Sequence, residues 1–170
     1  MDDKQLALRA TNGDADAFCR LYEKHRKKMY NYACYKLGNC ADADDAVQDA
    51  VLTAFENIHK LKHPEAFYSW IFKILYFSCN NAVRIQQIRR STADIDDYIN
   101  TVASESIMYE RQELCQALML LKEEDRSIVL LSVTAGLSSK EISKINGMSA
   151  GNVRQRLSRS LAKLRRYLDN

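Results

Sequence analysis

The chain has 170 residues, of which 46% are hydrophobic, so it can form one domain or two small domains with packed cores. Its single proline and five glycines leave few helix breakers, and its net charge is only +3. The longest uncharged apolar stretch, residues 128–137, is about half the length that a membrane span needs, so the sequence excludes a transmembrane helix.

The cysteines do not predict a metal centre. They are odd in number and form no C-x-x-C pair, and only three histidines accompany them. We therefore expect reduced and mostly buried thiols, without a cofactor or a metal site. The charged start of the chain does not resemble a signal peptide, which favours a cytoplasmic protein without membrane insertion. The five positions are Cys19, Cys34, Cys40, Cys79 and Cys115.

Two helices are predicted before residue 40. Residues 3–11 can form a short helix that ends near Gly13. From Asp14 onward, apolar residues keep helical spacing until Gly38, which can end the second helix. The outward face of this helix is basic and carries Arg20, Lys24, Arg26, Lys27 and Lys28.

The next segment is acidic, since residues 42–58 contain five acidic residues and no Lys or Arg. We expect a helix from Asp42, taken as its cap, to about Asn57, with the side that contains Phe55 buried. Acids in a first turn complement the helix dipole, which accounts for Asp42, Asp44 and Asp45. This does not account for Asp49 beside Gln48, so the pattern predicts an acidic docking face.

An unusually aromatic helix is expected next, from the first-turn residue Pro64 to about Arg90. Trp70 and Ile74 are the residues that we expect in the core. The remaining rings, with Lys73, Asn80, Asn81 and Arg84, form a candidate platform for unstacked bases, because aromatic stacking and a cationic track hold single strands. Aromatic residues on a helix are more often core residues, so that alternative remains open.

Residues 91–105 are polar and acidic, which is typical of a linker and predicts a domain boundary there. The simpler alternative is a plain tether. Beyond it, helices are predicted over residues 107–121, with Leu114, Leu118 and Leu121 on one side, and over residues 125–135, ended by Gly136.

The last thirty residues predict a helix-turn-helix. Ser138 and Glu141 have the spacing of a capping box that starts a short helix. Gly147 can take the positive φ that ends it, and Ser149 is a good N-cap for the following helix. The turn of three or four residues with a glycine matches the helix-turn-helix pattern.

The final helix has two clearly different faces. Its apolar stripe contains Val153, Leu157, Leu161, Leu164 and Leu168. The opposite face mixes Asn, Gln, Ser and Arg, and residues 149–166 contain six basic residues and no acidic one. Such side chains pair with base edges in a major groove, and the first two turns of the helix enter that groove. A solvated basic helix in an ordinary bundle is the alternative.

These motifs together resemble bacterial sigma factors. Gly136-Leu-Ser-Ser-Lys-Glu-Ile and Met148-Ser-Ala-Gly-Asn-Val-Arg-Gln-Arg-Leu are similar to their C-terminal promoter-reading domain. Asp42-Ala-Asp-Asp-Ala-Val-Gln-Asp and Phe67-Tyr-Ser-Trp-Ile-Phe are similar to their N-terminal domain. With only two such domains, the chain resembles the extracytoplasmic-function (ECF) group of the sigma-70 family from about residue 5 to residue 168.

The resemblance implies three functional surfaces and two further features. Docking on a coiled coil of the RNA polymerase clamp is implied for Asp42, Asp44, Asp45, Gln48 and Asp49. Melting and reading of the minus-10 element is implied for Phe67, Trp70, Lys73, Asn80, Asn81 and Arg84. Reading of the duplex minus-35 element is implied for Asn152, Arg154, Gln155, Arg156, Ser158 and Arg159. The linker is implied to run towards the RNA exit path, and an anti-sigma protein is an expected partner.

We therefore expect an all-α protein with two small helical domains, residues 1–90 and 106–170, joined by the acidic linker 91–105. Its expected function is that of a promoter-specificity subunit that binds core RNA polymerase and promoter DNA, both duplex and single-stranded. No residues suggest a nucleophile–base pair, a phosphate loop or a metal cluster, so neither an enzyme nor a small-molecule substrate is expected. The alternatives are a free-standing helix-turn-helix regulator, and a sigma-like decoy that only binds an anti-sigma protein.

Overall fold

The computed structural model describes residues 1–92, called here the N-terminal part, and residues 112–170, called the C-terminal part. Every regular element in these two ranges is helical, which confirms the expected all-α fold. The N-terminal part contains α1 (Asp3–Thr11), α2 (Ala15–Leu37), α3 (Cys40–Asn57), two 3₁₀ turns (Ile58–Lys60 and Pro64–Ala66) and α4 (Phe67–Thr92). The C-terminal part contains α5 (Gln112–Met119), α6 (Glu123–Val133), α7 (Ser139–Asn146) and α8 (Ala150–Leu168).

The predicted helix boundaries are close to the observed ones, with one correction at the start of α3. Asn39 caps this helix instead of Asp42, because the Asn39 Oδ1 atom accepts a hydrogen bond from the Asp42 amide at 2.7 Å. An asparagine directly after Gly38 is well placed to cap, and the helix therefore begins at Cys40. Most of the predicted linker, residues 93–105, lies outside the described residues, and so does the start, residues 107–111, of the helix predicted over residues 107–121. Ser91 and Thr92 belong to α4.

The core of the N-terminal part forms where α2, α3 and α4 pack together. Phe67 is only 2% exposed and lies edge-on to Phe18, with ring centroids 6.3 Å apart. Trp70 and Ile74, which the sequence predicted in the core, are only partly buried. A helix with rings on nearly every side has no unique apolar stripe, so its neighbours decide which side is buried. The buried residues of α4 are Phe67, Ile71, Phe72, Leu75, Tyr76, Cys79 and Val83.

The two parts of the molecule pack against each other. α2 contacts both α5 and α6, and α4 contacts α7. Lys36, on the last turn of α2, is completely buried at this junction, although nothing in its sequence position predicted its burial. Its Nζ atom donates to the Glu123 carbonyl oxygen at 2.8 Å and also to the Ser127 hydroxyl.

Three of the five cysteines are buried, in agreement with the expectation of buried thiols. Cys34 and Cys40 lie with their Sγ atoms 3.8 Å apart across the turn between α2 and α3. Burial raises the pKa of the Cys34 and Cys79 thiols to about 12, which makes both of them weak nucleophiles at neutral pH. Among the helices described, none combines the length and the apolar character needed to cross a membrane.

Candidate nucleic-acid interface

The helix-turn-helix forms as its sequence predicted. Ser138 Oγ accepts from the Glu141 amide at 3.1 Å, and the Glu141 carboxylate accepts from the Ser138 amide at 3.1 Å, which completes a capping box at the start of α7. Gly147 ends this helix with a φ of 80°, a left-handed conformation that favours glycine. Ser149 Oγ then accepts from the Asn152 amide at 3.1 Å and starts α8.

Five of the six predicted duplex readers are exposed on the first turns of α8. Val153, between them, is fully buried and fixes the rotation of the helix against α6 and α7. This anchoring leaves a solvent-facing surface of amides, one hydroxyl and two guanidinium groups, a set that suits base edges in a major groove. The exposed readers are Asn152, Arg154, Gln155, Ser158 and Arg159.

Arg156, the sixth predicted reader, is held inside the C-terminal part. Its Nε atom donates to Asp125 Oδ1 at 2.8 Å, and its Nη1 atom lies 3.4 Å from the Met148 sulfur. The Arg156 side chain is only 27% exposed. The structure therefore places it between α8 and α6, where it can fix the position of the reading helix.

In the C-terminal half of α8 the buried residues differ from the predicted apolar stripe. Leu164 is buried, but Leu161 and Leu168 are 36% and 39% exposed. Ser160 is buried instead, at 4% exposure. The buried side of α8 therefore contains Val153, Ser160 and Leu164 and is narrower than the predicted stripe.

The predicted minus-10 readers do not form one surface. Lys73, Asn81 and Arg84 are exposed along one side of α4, and Arg84 donates to Asn81 at 2.7 Å. Phe67 belongs to the core, and Trp70 is partly buried beside it, with ring centroids 6.0 Å apart. The sixth residue, Asn80, is also only partly exposed, and its buried Oδ1 atom has no hydrogen-bond partner within residues 1–92 and 112–170.

Phe77 is a candidate that the residue pattern alone did not single out. Its ring is 54% exposed and lies on the same side of α4 as Lys73, Asn81 and Arg84, at helical spacing. Beside it runs an open groove of about 540 Å³ between α3 and α4, lined by residues that include Asp49, Leu52, Thr53, Glu56, Ile74, Phe77, Ser78 and Asn81. The sequence could have predicted this position, because Lys73, Phe77 and Asn81 are four residues apart and therefore lie on the same side of a helix.

The acidic face of α3 is exposed where the sequence placed it, except at its start. Asp44, Asp45, Gln48 and Asp49 are all exposed. Asp42 is instead bound within the N-terminal part, since its Oδ2 atom accepts from the Gln86 amide at 2.7 Å and from the Asn39 amide at 2.8 Å. Arg89 adds a longer ion pair at 3.7 Å, so Asp42 ties α3 to the end of α4.

Two large apolar residues extend the acidic face. Leu52 is 61% exposed, and Phe55, which the sequence placed on the buried side, is 47% exposed. The Phe55 ring packs against Phe18 in a T-shaped arrangement with centroids 5.3 Å apart, and it remains about half exposed. A row of acids beside exposed apolar groups is typical of a protein-binding surface, where a hydrophobic centre has a polar rim.

Comparison with known proteins links these surfaces to one family. The family model "Sigma-70 region 2" matches residues 21–90, and "Sigma-70, region 4" matches residues 111–164. The chain is 30% identical over 167 residues to the ECF RNA polymerase sigma factor SigM of Mycobacterium tuberculosis, covering 98% of this chain and 84% of that protein. It is 26% identical to the ECF RNA polymerase sigma-E factor of Escherichia coli, with 100% and 94% of the two chains covered.

Solved structures share the fold. CnrH, solved in complex with the cytosolic domain of CnrY, superposes with a TM-score of 0.79 at 24% identity, covering 98% of this chain and 97% of that chain. The sigma factor RpoE from Bartonella quintana, solved with the anti-sigma factor NepR, gives a TM-score of 0.74 at 22% identity over 89% of this chain and 96% of that chain. Because the 30% identity to SigM extends over 98% of this chain and both sigma-70 regions are matched, the chain belongs to the ECF group of sigma-70 family RNA polymerase sigma factors, which are promoter-specificity subunits.

Proposed function

We propose that this chain docks on core RNA polymerase through the acidic face of α3, reads duplex minus-35 DNA with α8, and holds the opened minus-10 strand on α4. The observation that carries the proposal is the exposure of these surfaces on one chain, with complementary chemistry. The first is acidic and apolar, the second is basic with amides, and the third is aromatic and basic.

The minus-35 surface is proposed as Asn152, Arg154, Gln155, Ser158 and Arg159. Arginine can bind the guanine edge with two hydrogen bonds, and asparagine or glutamine can do the same with adenine. The capping contacts of Ser149 and the buried Val153 support this role because they fix the start of α8, which is the part that enters the groove. Arg156 is proposed to position α8 rather than to read bases.

The minus-10 surface is proposed as Lys73, Asn81 and Arg84, with Phe77 added. An exposed ring flanked by cations can stack an unpaired base while the cations hold phosphates. The groove beside Phe77 is open and combines apolar walls with carboxylates, a hydroxyl and an amide, which suits a base turned out of the stack. Trp70 is proposed to support the ring surface from behind.

The polymerase surface is proposed as Asp44, Asp45, Gln48 and Asp49 around Leu52 and Phe55. The exposed carboxylates can steer association with a basic partner, while burial of the two apolar side chains supplies affinity. Asp42 is proposed to act indirectly, by holding α3 against α4 through Gln86 and Arg89.

We also propose the domain division from which these roles follow. Residues 1–90 would form the polymerase-docking and minus-10 domain, residues 91–105 the linker, and residues 106–170 the minus-35 domain. Sigma factors are non-catalytic, and we propose the same for this chain, acting in the cytoplasm. The sigma factor RpoE was solved with the anti-sigma factor NepR, so an anti-sigma protein is proposed as a further partner.

A transcription run-off tests this function. Core polymerase is incubated with genomic fragments, with and without the protein, at moderate salt. The test variant carries Asp45→Lys and Asp49→Lys, and the control carries Asp16→Lys and Glu23→Lys, which change the net charge equally on exposed positions of α2. New discrete transcripts that persist with the control and vanish with the test variant are expected.

Two other results would contradict the proposal. Tight binding to duplex DNA without polymerase and without a new start site would favour the free-standing regulator. Equal transcript loss in both charge-reversal variants would mean that the acidic face of α3 has no special role in docking.

A further inference from the structure

We propose that Cys34 and Cys40 form a site of reversible oxidation, at which a hydroperoxide converts the two thiols into a disulfide that weakens docking on polymerase. The pair joins the last turn of α2 to the first residue of α3, the helix that carries the acidic face. The effect on docking rests on the proposed function, whereas the oxidation site stands on the geometry of the two thiols alone.

Folding brings the two thiols together. Their Sγ atoms lie 3.8 Å apart across a tight reversal of the chain, in which Gly38 ends α2 with a φ of 79° and Asn39 caps α3. A disulfide joins two sulfur atoms at about 2.0 Å, so these two atoms need to approach by only about 1.8 Å. Cys34 and Cys40 are 6% and 8% exposed, so neither is sealed completely from a small oxidant, whereas Cys79 is fully buried.

The Tyr30 hydroxyl belongs to the same cluster. Hydrogen bonding to the Cys40 thiol, burial and hydrogen bonding to the Cys34 thiol raise the pKa of Tyr30 well above its usual value, so its hydroxyl keeps its proton. A neutral hydroxyl can donate to a thiolate, and a hydrogen bond to the charged form favours that form. Burial nevertheless raises the pKa of the Cys34 thiol to about 12, so little of it is ionised at neutral pH and its oxidation is slow.

The reaction balances with one hydroperoxide. The thiolate of one cysteine attacks an oxygen of the peroxide, which breaks the O–O bond and leaves a sulfenic acid and an alcohol, or water when the oxidant is hydrogen peroxide. The second sulfur then attacks the sulfenic sulfur, and the hydroxyl group leaves as water. In total the thiols lose two electrons and two protons, and the peroxide is reduced by the same two electrons. The second step is favoured because the fold holds both sulfur atoms side by side.

The disulfide should displace the start of α3. Ala33 and Lys36, on either side of Cys34, are fully buried, so the end of α2 has little room to move. Cys40 is the first residue of α3 and directly follows its cap, Asn39. The approach of the sulfur atoms therefore falls mainly on Cys40, which disturbs the cap and tilts the acidic face that begins one turn later. In a reducing compartment such a disulfide is transient, which is typical of a redox sensor.

The test treats the full chain with hydrogen peroxide, removes the oxidant and maps the disulfide by mass spectrometry. Trypsin cleaves after Lys36, so a bond between the two cysteines joins peptides 29–36 and 37–60, each of which contains one cysteine. Titration with core polymerase measures affinity before oxidation, after oxidation, and after reduction with dithiothreitol, which reverses the reaction by thiol–disulfide exchange.

The test variants are Cys40→Ser and Cys34→Ala, each of which removes one sulfur of the pair. The matched control is Cys19→Ser, at an exposed cysteine that also lies on α2. Circular dichroism compares the helical content of all four proteins.

We expect the linked peptides in the oxidised wild type and in Cys19→Ser, with polymerase affinity weaker by about fivefold or more and restored by dithiothreitol. Neither Cys40→Ser nor Cys34→Ala should give the link or the reversible loss of affinity. By linkage, bound polymerase should shift the disulfide equilibrium towards the thiols by the same factor.

Absence of the linked peptides from the oxidised wild type would overturn the oxidation site. An equal and reversible loss of affinity in Cys40→Ser would assign the effect to another group, and a link without any change in affinity would overturn the effect on docking. If no form binds polymerase, the proposed function fails, while the peptide map still decides the oxidation site.

Discussion

Arg156 of α8 and Asp125 of α6 form a charged hydrogen bond, Nε to Oδ1, at 2.8 Å, and both side chains are mostly buried. The pair joins the reading helix to the helix that packs beneath it. Asp125 belongs to the first turn of α6, so its charge also complements the positive end of that helix. One carboxylate thus stabilises the start of α6 and sets the position of α8.

We predict that Asp125→Ala weakens promoter binding without changing base preference. Loss of a charge-assisted hydrogen bond should lower the free energy of unfolding by about 1 to 2 kcal/mol and loosen α8. Binding to a set of minus-35 variants, with thermal unfolding in parallel, measures both effects. Glu113→Ala, on the exposed side of α5, is the control. A changed base preference in Arg156→Ala would instead make Arg156 a direct reader.

The exposed start of α8 predicts a different outcome. Arg154→Ala and Gln155→Ala should each lower discrimination at one base pair of the minus-35 element by about 1 to 3 kcal/mol, because a paired contact to a base edge is lost. Lys163→Ala, further along the same helix, should weaken binding equally for all sequences, as expected of a phosphate contact. Affinities for a complete single-base substitution series at fixed salt separate the two patterns. Uniform weakening by all three variants would exclude base reading by this turn.

Phe77 and Phe67 should respond in opposite ways. Phe77→Ala removes an exposed ring, so stability should change little, while promoter opening should lose about 1 to 3 kcal/mol of stacking energy. Phe67→Ala removes a buried ring and should lower the free energy of unfolding by about 3 to 5 kcal/mol. Permanganate reactivity of unpaired thymines measures opening, and urea unfolding measures stability. Normal opening with Phe77→Ala would remove this ring from the proposed minus-10 surface.

The sequence was most informative where local chemistry determines structure. Ser138, Glu141, Gly147 and Ser149 act on their immediate neighbours, so the helix-turn-helix was predicted to the residue. It was least informative about α4, where only the packing of α2 and α3 decides that Phe67 is buried and Phe77 is not.

Long-range contacts explain the remaining differences between expectation and structure. Asp42 looked like a docking residue because its partners Gln86 and Arg89 lie more than forty positions away in the sequence. Arg156 looked like a reader because its partner Asp125 precedes the helix-turn-helix. A lysine such as Lys36 on a basic helix gives no signal of burial, since the groups that bind it come from α6.

Lys36 also predicts a pH dependence of stability. Burial lowers its pKa from 10.5 to about 8 in the folded chain, whereas in the unfolded chain the side chain returns to water. Between pH 8 and 10.5 the unfolded chain therefore holds more protons at this position, so raising the pH through this window favours the folded chain. Below pH 8 the side chain is protonated in both states, and its contribution is constant. The full gain is roughly 3 kcal/mol at most.

The charged groups that face Lys36 are Glu123, Glu124 and Arg126, and Arg126 keeps its charge because a guanidinium group is not deprotonated in proteins. Burial raises the pKa of Tyr76 and Cys79 to about 12 and that of Tyr32 well above its usual value, so these three groups stay neutral in the folded chain. Urea unfolding at pH 7.5 and pH 9.5 should show that the rise in pH favours the wild type more than Lys36→Met, because the variant has no proton to lose at this position. Lys62→Met, in the exposed loop before α4, should respond to pH as the wild type does. The difference between the proteins isolates Lys36, since the other titratable groups are common to them. If the wild type and Lys36→Met responded equally to pH, the burial of Lys36 would not be the source of the dependence.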